Sequence, residues 1–369
     1  MLQRSILRCN SHLPSSGCRV LGKSGLLPER QSMLRSRLLS STAGPAPSSR
    51  GFYTKTFFAI PTAFILGYIT YKYTTSSTSF PINPHTFTHY TVTSTTPLSP
   101  SSSLISLSPK RHTKPPPSFW SIINSEGIWS IQIKQPQLQI QREYTPLPHS
   151  LSSNPEDESP ADQNRLDIFV RAVNGGELSH YLLSRKPGDL IEVRGPLISY
   201  IWTPADSAPE EQDIRNVVFI AGGTGISPAI QVARHLISQQ QKDGKERRLS
   251  VLFASRSSKE QILPQLKELE AVASGVIKID VKYFYDDKST FIKRSDIEDV
   301  IGGLLPADKV TTKPGRDVIM VSGPEGFVTH YAGKKGWKEG METQGVLGGI
   351  VGEILKNRKQ GGKIEVMKL

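Results

Sequence analysis

A glycine-rich turn at residues 217–228, VVFIAGGTGISP, carries the clearest chemical signal in the sequence. The five residues Val217–Ala221 are apolar and mostly β-branched or aromatic, as in a buried strand. The glycines leave the backbone bare, so that a phosphate or a ring can approach it, and Pro228 suits the first turn of a helix. Because unpaired N–H groups and the dipole at a helix N-terminus favour anions, we predict a nucleotide site here. A tight turn in an ordinary α/β domain is the alternative.

A second segment with chemical potential is Arg142-Glu143-Tyr144-Thr145, at the end of a predicted strand. A guanidinium can clamp a pyrophosphate, a phenol ring can lie on an aromatic ring system, and a hydroxyl can bond a ring nitrogen. Taken alone, the segment is better explained as a strand end with a surface arginine and a core tyrosine.

Two further turns place small or polar residues where a helix or a sheet edge could use them. Gly175 and Gly176 precede a predicted helix in which Ser179 could cap the helix or bond a phosphate. An ordinary junction between a loop and a helix is the alternative. Gly323 and Pro324 follow the last predicted strand, and ligands of open α/β sheets bind at that carboxyl edge. A plain turn at the end of a strand would explain this pair as well.

Two patterns of apolar residues divide the chain into two halves. Residues 127–145 alternate apolar and polar, as in antiparallel strands, and shorter strands are predicted at 166–173 and 189–196. Folded structure is predicted to begin near Phe87, where the alternation resembles that of an edge strand. From Val217 strands and helices alternate, so a β-barrel or sandwich is followed by a doubly wound parallel sheet. The strands of this second half are predicted at 217–221, 249–255, 277–285 and 316–323, and its helices at 229–240, 259–273, 295–305 and from about 325.

The order of the motifs RxYT, GGxxS, RGP, GGTGISP, LFASR and SGP resembles the ferredoxin–NADP reductase superfamily over residues 85–330. The resemblance is closest to the NADH–cytochrome b5 reductase branch. It implies an antiparallel β-barrel FAD-binding domain at residues 85–205, followed by an α/β NAD(P)-binding domain at 213–369. It also implies an FAD-dependent NAD(P)H oxidoreductase, in which hydride transfer needs two stacked rings and no acid or base.

The resemblance implies a role for individual residues on the FAD side. Arg142 would hold the FAD pyrophosphate, Tyr144 would stack on the flavin, and Thr145 would bond near the flavin N5. The residues that would seat the pyrophosphate at a helix N-terminus are Gly175, Gly176, Leu178 and Ser179.

On the nicotinamide side, the resemblance implies contacts from the glycine turn and from the end of the last strand. Gly323 and Pro324 would flank the nicotinamide ring, and Ser322 stands where the family usually has a cysteine beside the site of hydride transfer. We predict that this exchange retunes the transfer without abolishing it, and that Thr145 and Ser322 are the catalytic residues. The other predicted dinucleotide contacts are Gly222, Gly223, Thr224, Gly225 and Pro228.

The choice between NADH and NADPH rests on charged residues that follow predicted strands. A carboxylate near the adenosine ribose favours NADH, because it bonds the 2′-hydroxyl and repels a 2′-phosphate. Asp286 and Asp287 follow the third strand of the nucleotide domain, whereas Arg256, after the second strand, could attract a phosphate. We predict NADH, with NADPH as the alternative; a solvated turn would also explain the two aspartates.

Charge is concentrated at the start of the chain. The first 72 residues hold ten Lys or Arg and one acid, whereas the rest holds 35 basic and 32 acidic residues. The near-neutral body lacks the basic face that nucleic acid requires, so we predict no nucleic-acid partner. Residues 1–50 are rich in Arg and Ser and almost free of acids, which predicts a mitochondrial presequence. A disordered basic tail is the alternative.

A predicted transmembrane helix at residues 56–72 separates this leader from a Ser/Thr/Pro-rich linker at 73–84. The sixteen uncharged residues between Lys55 and Lys72 would rise about 24 Å, slightly less than a bilayer core, and aromatic residues lie near both ends. A buried core helix is the alternative. Because most basic residues precede the helix, the body would face the intermembrane space.

The two cysteines, Cys9 and Cys18, both lie in the leader. The body therefore has no thiol for disulfides, redox catalysis or thiolate-ligated metals. No metal site is predicted, and redox chemistry in the body requires a bound cofactor.

The mitochondrial leader, the single anchor, the thiol-free body and the glycine-rich stretch at residues 344–352 resemble fungal inner-membrane FAD proteins associated with haem attachment to cytochrome c. This resemblance implies delivery of electrons to haem iron, with haem or cytochrome c as the partner. A generic NADH–cytochrome b5 reductase and a non-enzymatic assembly scaffold with a relic flavin fold are the alternatives.

Overall fold

A computed structural model describes the folded body, which lies within one compact unit, Thr78–Leu369. The predicted presequence and anchor lie outside the described residues, as does most of the linker. In the part of the chain that the structure describes, no helix is both long and apolar enough to cross a membrane. The described ranges are 82–110, 119–151, 164–203, 213–260, 263–272, 277–303, 316–357 and 364–369.

The N-terminal half is an antiparallel sheet of seven strands in the order β4-β3-β7-β1-β2-β6-β5. Its edge strands β4 and β5 are separated along the chain by Thr145 alone, so the sheet must curl until its two edges adjoin. The predicted antiparallel domain is therefore confirmed. Its elements are β1 (Thr88–Ser99), β2 (Ser102–Pro109), α1 (Phe119–Glu126), β3 (Gly127–Gln135), β4 (Ile140–Tyr144), β5 (Pro146–Leu147), β6 (Leu166–Arg171), α2 (Glu177–Leu183) and β7 (Leu190–Ile201).

The core of this sheet follows the two-residue period of its strands. Residues two apart in a strand point to the same face, and here that face lines the inside. The inward set is buried and comprises Tyr90, Val92, Ile105, Leu107, Ile131, Ile133, Leu166, Ile168, Val170, Ile191 and Val193.

The C-terminal half is a parallel sheet in the order β10-β9-β8-β11-β14, as predicted for a doubly wound domain. Val217 and Phe219 of its central strand face the core cluster that contains α3, whereas Val218 and Ile220 face the cluster that contains α5 and α6. Its elements are β8 (Ile214–Gly222), α3 (Ile226–Asp243), β9 (Arg248–Ser255), α4 (Pro264–Val272), β10 (Lys278–Tyr285), α5 (Arg294–Gly302), β11 (Arg316–Ser322), α6 (Glu325–Ala332), β12 (Gly336–Lys338), β13 (Met341–Thr343), α7 (Gly349–Asn357) and β14 (Ile364–Lys368).

Several elements differ from the sequence expectation. The strand near Phe87 is not an edge strand, because β1 pairs with both β7 and β2. The helix expected from residue 259 begins only at Pro264, which suits a first helical turn. The C-terminal strand β14 was not predicted; the Gln344 side chain bonds both the N–H and the C=O of Lys368, at 2.7 and 3.0 Å, beside this outer strand.

An ion pair that is largely shielded from solvent joins the two halves. Arg171 of β6 bonds Glu260, which follows β9, and their side chains are 11% and 9% exposed. Ser102 of β2 donates to the same carboxylate, as does Ser255 at the end of β9 at 3.0 Å. Glu260 therefore collects donors from both domains.

We expect Glu260→Ala to lower the free energy of unfolding by about 3–5 kcal/mol, because it leaves a buried guanidinium without its carboxylate. Urea unfolding would measure the loss. Glu298→Ala is the control, since Glu298 pairs with Arg294 on the surface of α5, where such pairs contribute about 0.5 kcal/mol or less. Equal losses in the two variants would contradict the view that Glu260 ties the halves together.

Candidate functional site

The RxYT segment forms the end of strand β4. Arg142 and Tyr144 lie two residues apart and share one face of the sheet, with Ile133 and Ile131 of β3 as their partners. Arg142 is exposed and Tyr144 is partly buried. Burial raises the pKa of Tyr144 to about 12, and the charge of Arg142 offsets part of that rise. At physiological pH the face therefore offers a neutral phenol ring beside an exposed cation.

The GGxxS segment opens helix α2, which packs against β3 and β4. Gly175 has a φ of +71° and would project a side chain into open space, so its backbone is accessible. Ser179 lies inside the first turn and is not the N-cap, which is Gly176. The Ser179 hydroxyl donates to the Gly176 carbonyl at 2.7 Å and accepts the Val173 N–H at 3.1 Å. Its side chain therefore holds the glycine loop in shape.

Leu178 is 2% exposed and belongs to the barrel core. Any contact of this residue with a cofactor would be through its backbone. The structure thus brings Arg142, Tyr144 and the Gly175–Ser179 loop to neighbouring elements, with accessible backbone at Gly175. A cation, an aromatic ring and a bare loop fit a flavin dinucleotide.

The glycine turn lies between β8 and α3, as expected. Gly223–Gly225 form one turn of 3₁₀ helix that contains Thr224, and Pro228 is in the first turn of α3. Gly223 has a φ of +56° and faces open space. At Gly225, by contrast, a side chain would collide with the backbone of Ser322. Gly225 therefore permits close approach to β11, and the Gly223 backbone is bare toward open space.

The other two glycines of this edge do not face empty space. A Cβ atom at Gly222 or at Gly323 would lie 2.9 Å from the ring of Phe327 in α6. The side-chain space at both positions is therefore filled by a ring of the chain itself, and the contacts predicted for Gly222 and Gly323 with a cofactor stay a prediction. The open surface here includes Gly223 and the exposed Pro324, and the Phe327 ring beside them is partly buried.

Ser322 ends β11 opposite Ala221 and is 6% exposed. Thr145 is partly buried between β4 and β5. The 3₁₀ turn at Gly223–Gly225 packs against β6 of the barrel, so the glycine turn adjoins the N-terminal half. The glycine turn therefore lies at the junction between the two halves.

Asp286 and Asp287 follow β10 at the carboxyl edge of the sheet, but their carboxylates differ in hydrogen bonding and exposure. The Asp287 carboxylate accepts hydrogen bonds from Ser257 Oγ and the Ser258 N–H, both at 2.9 Å. Asp286 is exposed at the start of a short 3₁₀ turn. The Asp286 carboxylate is therefore exposed at this edge, whereas that of Asp287 is bonded within the chain, and the predicted contact of Asp286 with a ribose stays a prediction.

Family comparisons bear on this geometry. Residues 128–202 match the oxidoreductase FAD-binding domain, and residues 219–332 match the oxidoreductase NAD-binding domain. The chain therefore carries the FAD- and NAD-binding oxidoreductase domains of the ferredoxin–NADP reductase superfamily, and it is an FAD-dependent NAD(P)H oxidoreductase whose cofactors are FAD and NADH.

Three relatives show which proteins of this class the chain is similar to in sequence. It is 25% identical to the cytochrome c mitochondrial import factor CYC2 of Saccharomyces cerevisiae, over 81% of this chain and 89% of that protein. It is 25% identical to NADH-cytochrome b5 reductase 2-B of Vanderwaltozyma polyspora, over 67% and 72%. An FAD-binding protein of Schizosaccharomyces pombe is 29% identical over 75% and 86%.

We expect Gly223→Asn to raise the Kd for NAD⁺ at least about tenfold, because its side chain would fill the open space before the turn. Asn tolerates a positive φ, so backbone strain stays small. Isothermal titration with NAD⁺ would measure the effect. Gly244→Asn is the matched control, since Gly244 has a φ of +66°, faces open space and ends α3. Unchanged NAD⁺ affinity in Gly223→Asn would remove the dinucleotide from this turn.

Proposed function

We propose that this oxidoreductase is anchored in the mitochondrial inner membrane, faces the intermembrane space, and passes electrons from NADH through FAD to haem iron. Its role would be to keep haem reduced for attachment to cytochrome c. The observation that carries the proposal is the similarity to the cytochrome c mitochondrial import factor CYC2 across 81% of the chain and 89% of that protein. The acid-poor leader and the apolar segment at 56–72 support the membrane setting.

The residues proposed for each cofactor divide between the two halves. Arg142, Tyr144 and the Gly175–Ser179 loop would hold FAD, with Thr145 at the flavin N5. Gly223, Pro324 and Asp286 would hold NADH at the carboxyl edge of the parallel sheet. Bound FAD would supply the chemistry, because it accepts two electrons from a hydride and releases them singly. The chain would bind and orient the two rings.

A second candidate is an NADH–cytochrome b5 reductase, which the relative from Vanderwaltozyma polyspora favours. Both candidates share the class of enzyme and differ in the acceptor. The oxidoreductase assignment favours either of them over a non-enzymatic scaffold.

Anaerobic addition of NADH to the purified full-length protein should bleach the flavin absorbance. Addition of free ferric haem, a mixture of haem with apocytochrome c, or cytochrome b5 would then identify the acceptor by the rate of flavin reoxidation. We expect haem to reoxidise the flavin faster than cytochrome b5 does. The reverse order would favour the b5 reductase, and a flavin that NADH does not bleach would refute both candidates.

Ser322→Ala should change the rate constant for flavin reduction by less than about tenfold, because hydride transfer needs no proton donor or acceptor at this position. Stopped-flow absorbance at saturating NADH measures that constant, and flavin content serves as the control for folding. A loss of about 1,000-fold, which lies within the range of a lost general acid or base, would show that the Ser322 hydroxyl takes part in the chemistry.

A further inference from the structure

A buried glutamine at the junction of the two halves has no role in the motifs. Gln231 is 8% exposed and lies on α3, the helix that begins after the glycine turn. Its neighbours along the chain, from Ile226 to Val232, are buried as well. A polar residue in so apolar a helix face needs partners for its amide, since buried polar groups are almost always hydrogen-bonded.

Both ends of the Gln231 amide bond to the backbone of the barrel. Its Oε1 accepts the N–H of Trp129 at 3.0 Å, and its Nε2 donates to the carbonyl of Trp129 at 3.2 Å. The same Nε2 donates to the carbonyl of Pro146 at 2.8 Å. The Gln231 side chain of the nucleotide half thus takes the place of a backbone peptide group beside the barrel strand that contains Trp129.

The gap that Gln231 fills follows from the path of the chain. Strand β4 pairs with β3 only from Ile131 to Gln135, so Trp129 lies beyond the end of that ladder. After Thr145 the chain turns to pair with β6, and Pro146 has no N–H to offer to β3. The backbone of Trp129 therefore needs a donor and an acceptor from elsewhere.

We propose that Gln231 is a positioning residue for hydride transfer, which fixes the strand end at Thr145 relative to the glycine turn. The proposal rests on the proposed placement of the flavin at Tyr144–Thr145 and of the nicotinamide dinucleotide at the glycine turn beside Gly223. One of the bonds reaches the residue after Thr145, and six residues of chain link Gly225 to Gln231, about 9 Å of helix.

This link has a kinetic consequence. The rate of a transfer between two held groups depends steeply on their spacing, and a displacement of about 1 Å can lower it about 100-fold. Binding of NADH at the proposed site would draw on several residues along the sheet edge and would depend less on this one distance. Loss of the Gln231 hydrogen bonds should therefore slow hydride transfer while leaving the affinity for NADH nearly unchanged.

The test compares Gln231→Met with Gln265→Met in the full-length protein. Gln265 of α4 is also buried, at 5% exposure, and donates to the carbonyl of Pro148 at 3.3 Å across the same junction. We expect Gln231→Met to lower the limiting rate constant for flavin reduction at least about tenfold, with the Kd for NAD⁺ within about twofold of wild type. Gln265→Met should keep the wild-type rate, even if both variants melt at lower temperature.

A static readout separates positioning from stability. Reduced flavin stacked on NAD⁺ absorbs at long wavelength, so titration of the dithionite-reduced protein with NAD⁺ reports ring stacking without turnover. We expect Gln231→Met to weaken this band and Gln265→Met to preserve it. Gln231→Glu is the second variant, because it keeps the shape and an acceptor for Trp129 but, as a carboxylate, loses both donations; we expect the same loss from it.

The outcomes distinguish this inference from the proposed function. A wild-type rate and band in Gln231→Met, or equal losses in Gln265→Met, would overturn the positioning role alone. A wild-type protein that binds no flavin, or whose flavin NADH does not reduce, would overturn the proposed function and this inference with it.

Discussion

At Thr145 the barrel chain leaves one neighbouring strand and joins another, and its backbone cannot stay paired through that step. Proline at 146 removes the N–H that could have bonded back to β3. Buried N–H and C=O groups without partners are costly, so the corner must be completed by something outside the sheet. In this protein the completion comes from the nucleotide half. The barrel is therefore whole only when the second domain is docked.

Other contacts at the junction also make the barrel half depend on the nucleotide half. The segment after β5 lies against α3 and α4, where the Glu268 carboxylate accepts from Ser150 Oγ at 2.8 Å and from the Leu151 N–H at 2.9 Å. Nearby, Trp202 stacks on His235 with ring centroids 4.1 Å apart. Burial lowers the pKa of His235 to about 3, with nearby positive charges acting in the same direction, so the stacked imidazole stays neutral at physiological pH. These contacts hold the two halves, and with them the predicted FAD and NADH motifs, in a fixed relative position.

Strong local patterns could be predicted from the sequence. Strands β8, β9 and β11 are largely apolar runs that end in glycine or serine, and their buried positions agree with the structure. Elements with weak local patterns could not be predicted. Strand β2, SSLISLSP, has the serine content of a linker, and it becomes a strand because β1 and β6 pair with it on both sides. Tertiary pairing decides such segments.

The candidate site shows the same division. RxYT, GGxxS and GGTGISP were recognisable because small or polar residues stand where strands end. Gln231 could have been noticed as the one amide in the first half of α3, but its partners Trp129 and Pro146 lie 102 and 85 residues away. The use of Gly222 to accommodate a ring, and of Ser179 to hold its own loop, also depends on contacts that no spacing in the sequence reveals.

The packing of Phe327 on Gly222 and Gly323 constrains how this edge of the sheet can diverge between species. A methyl group at residue 222 or at residue 323 fits only if the ring at residue 327 shrinks or withdraws. The residues at these three positions should therefore change together during evolution. A larger residue at position 222 or 323 should occur together with a smaller residue at position 327.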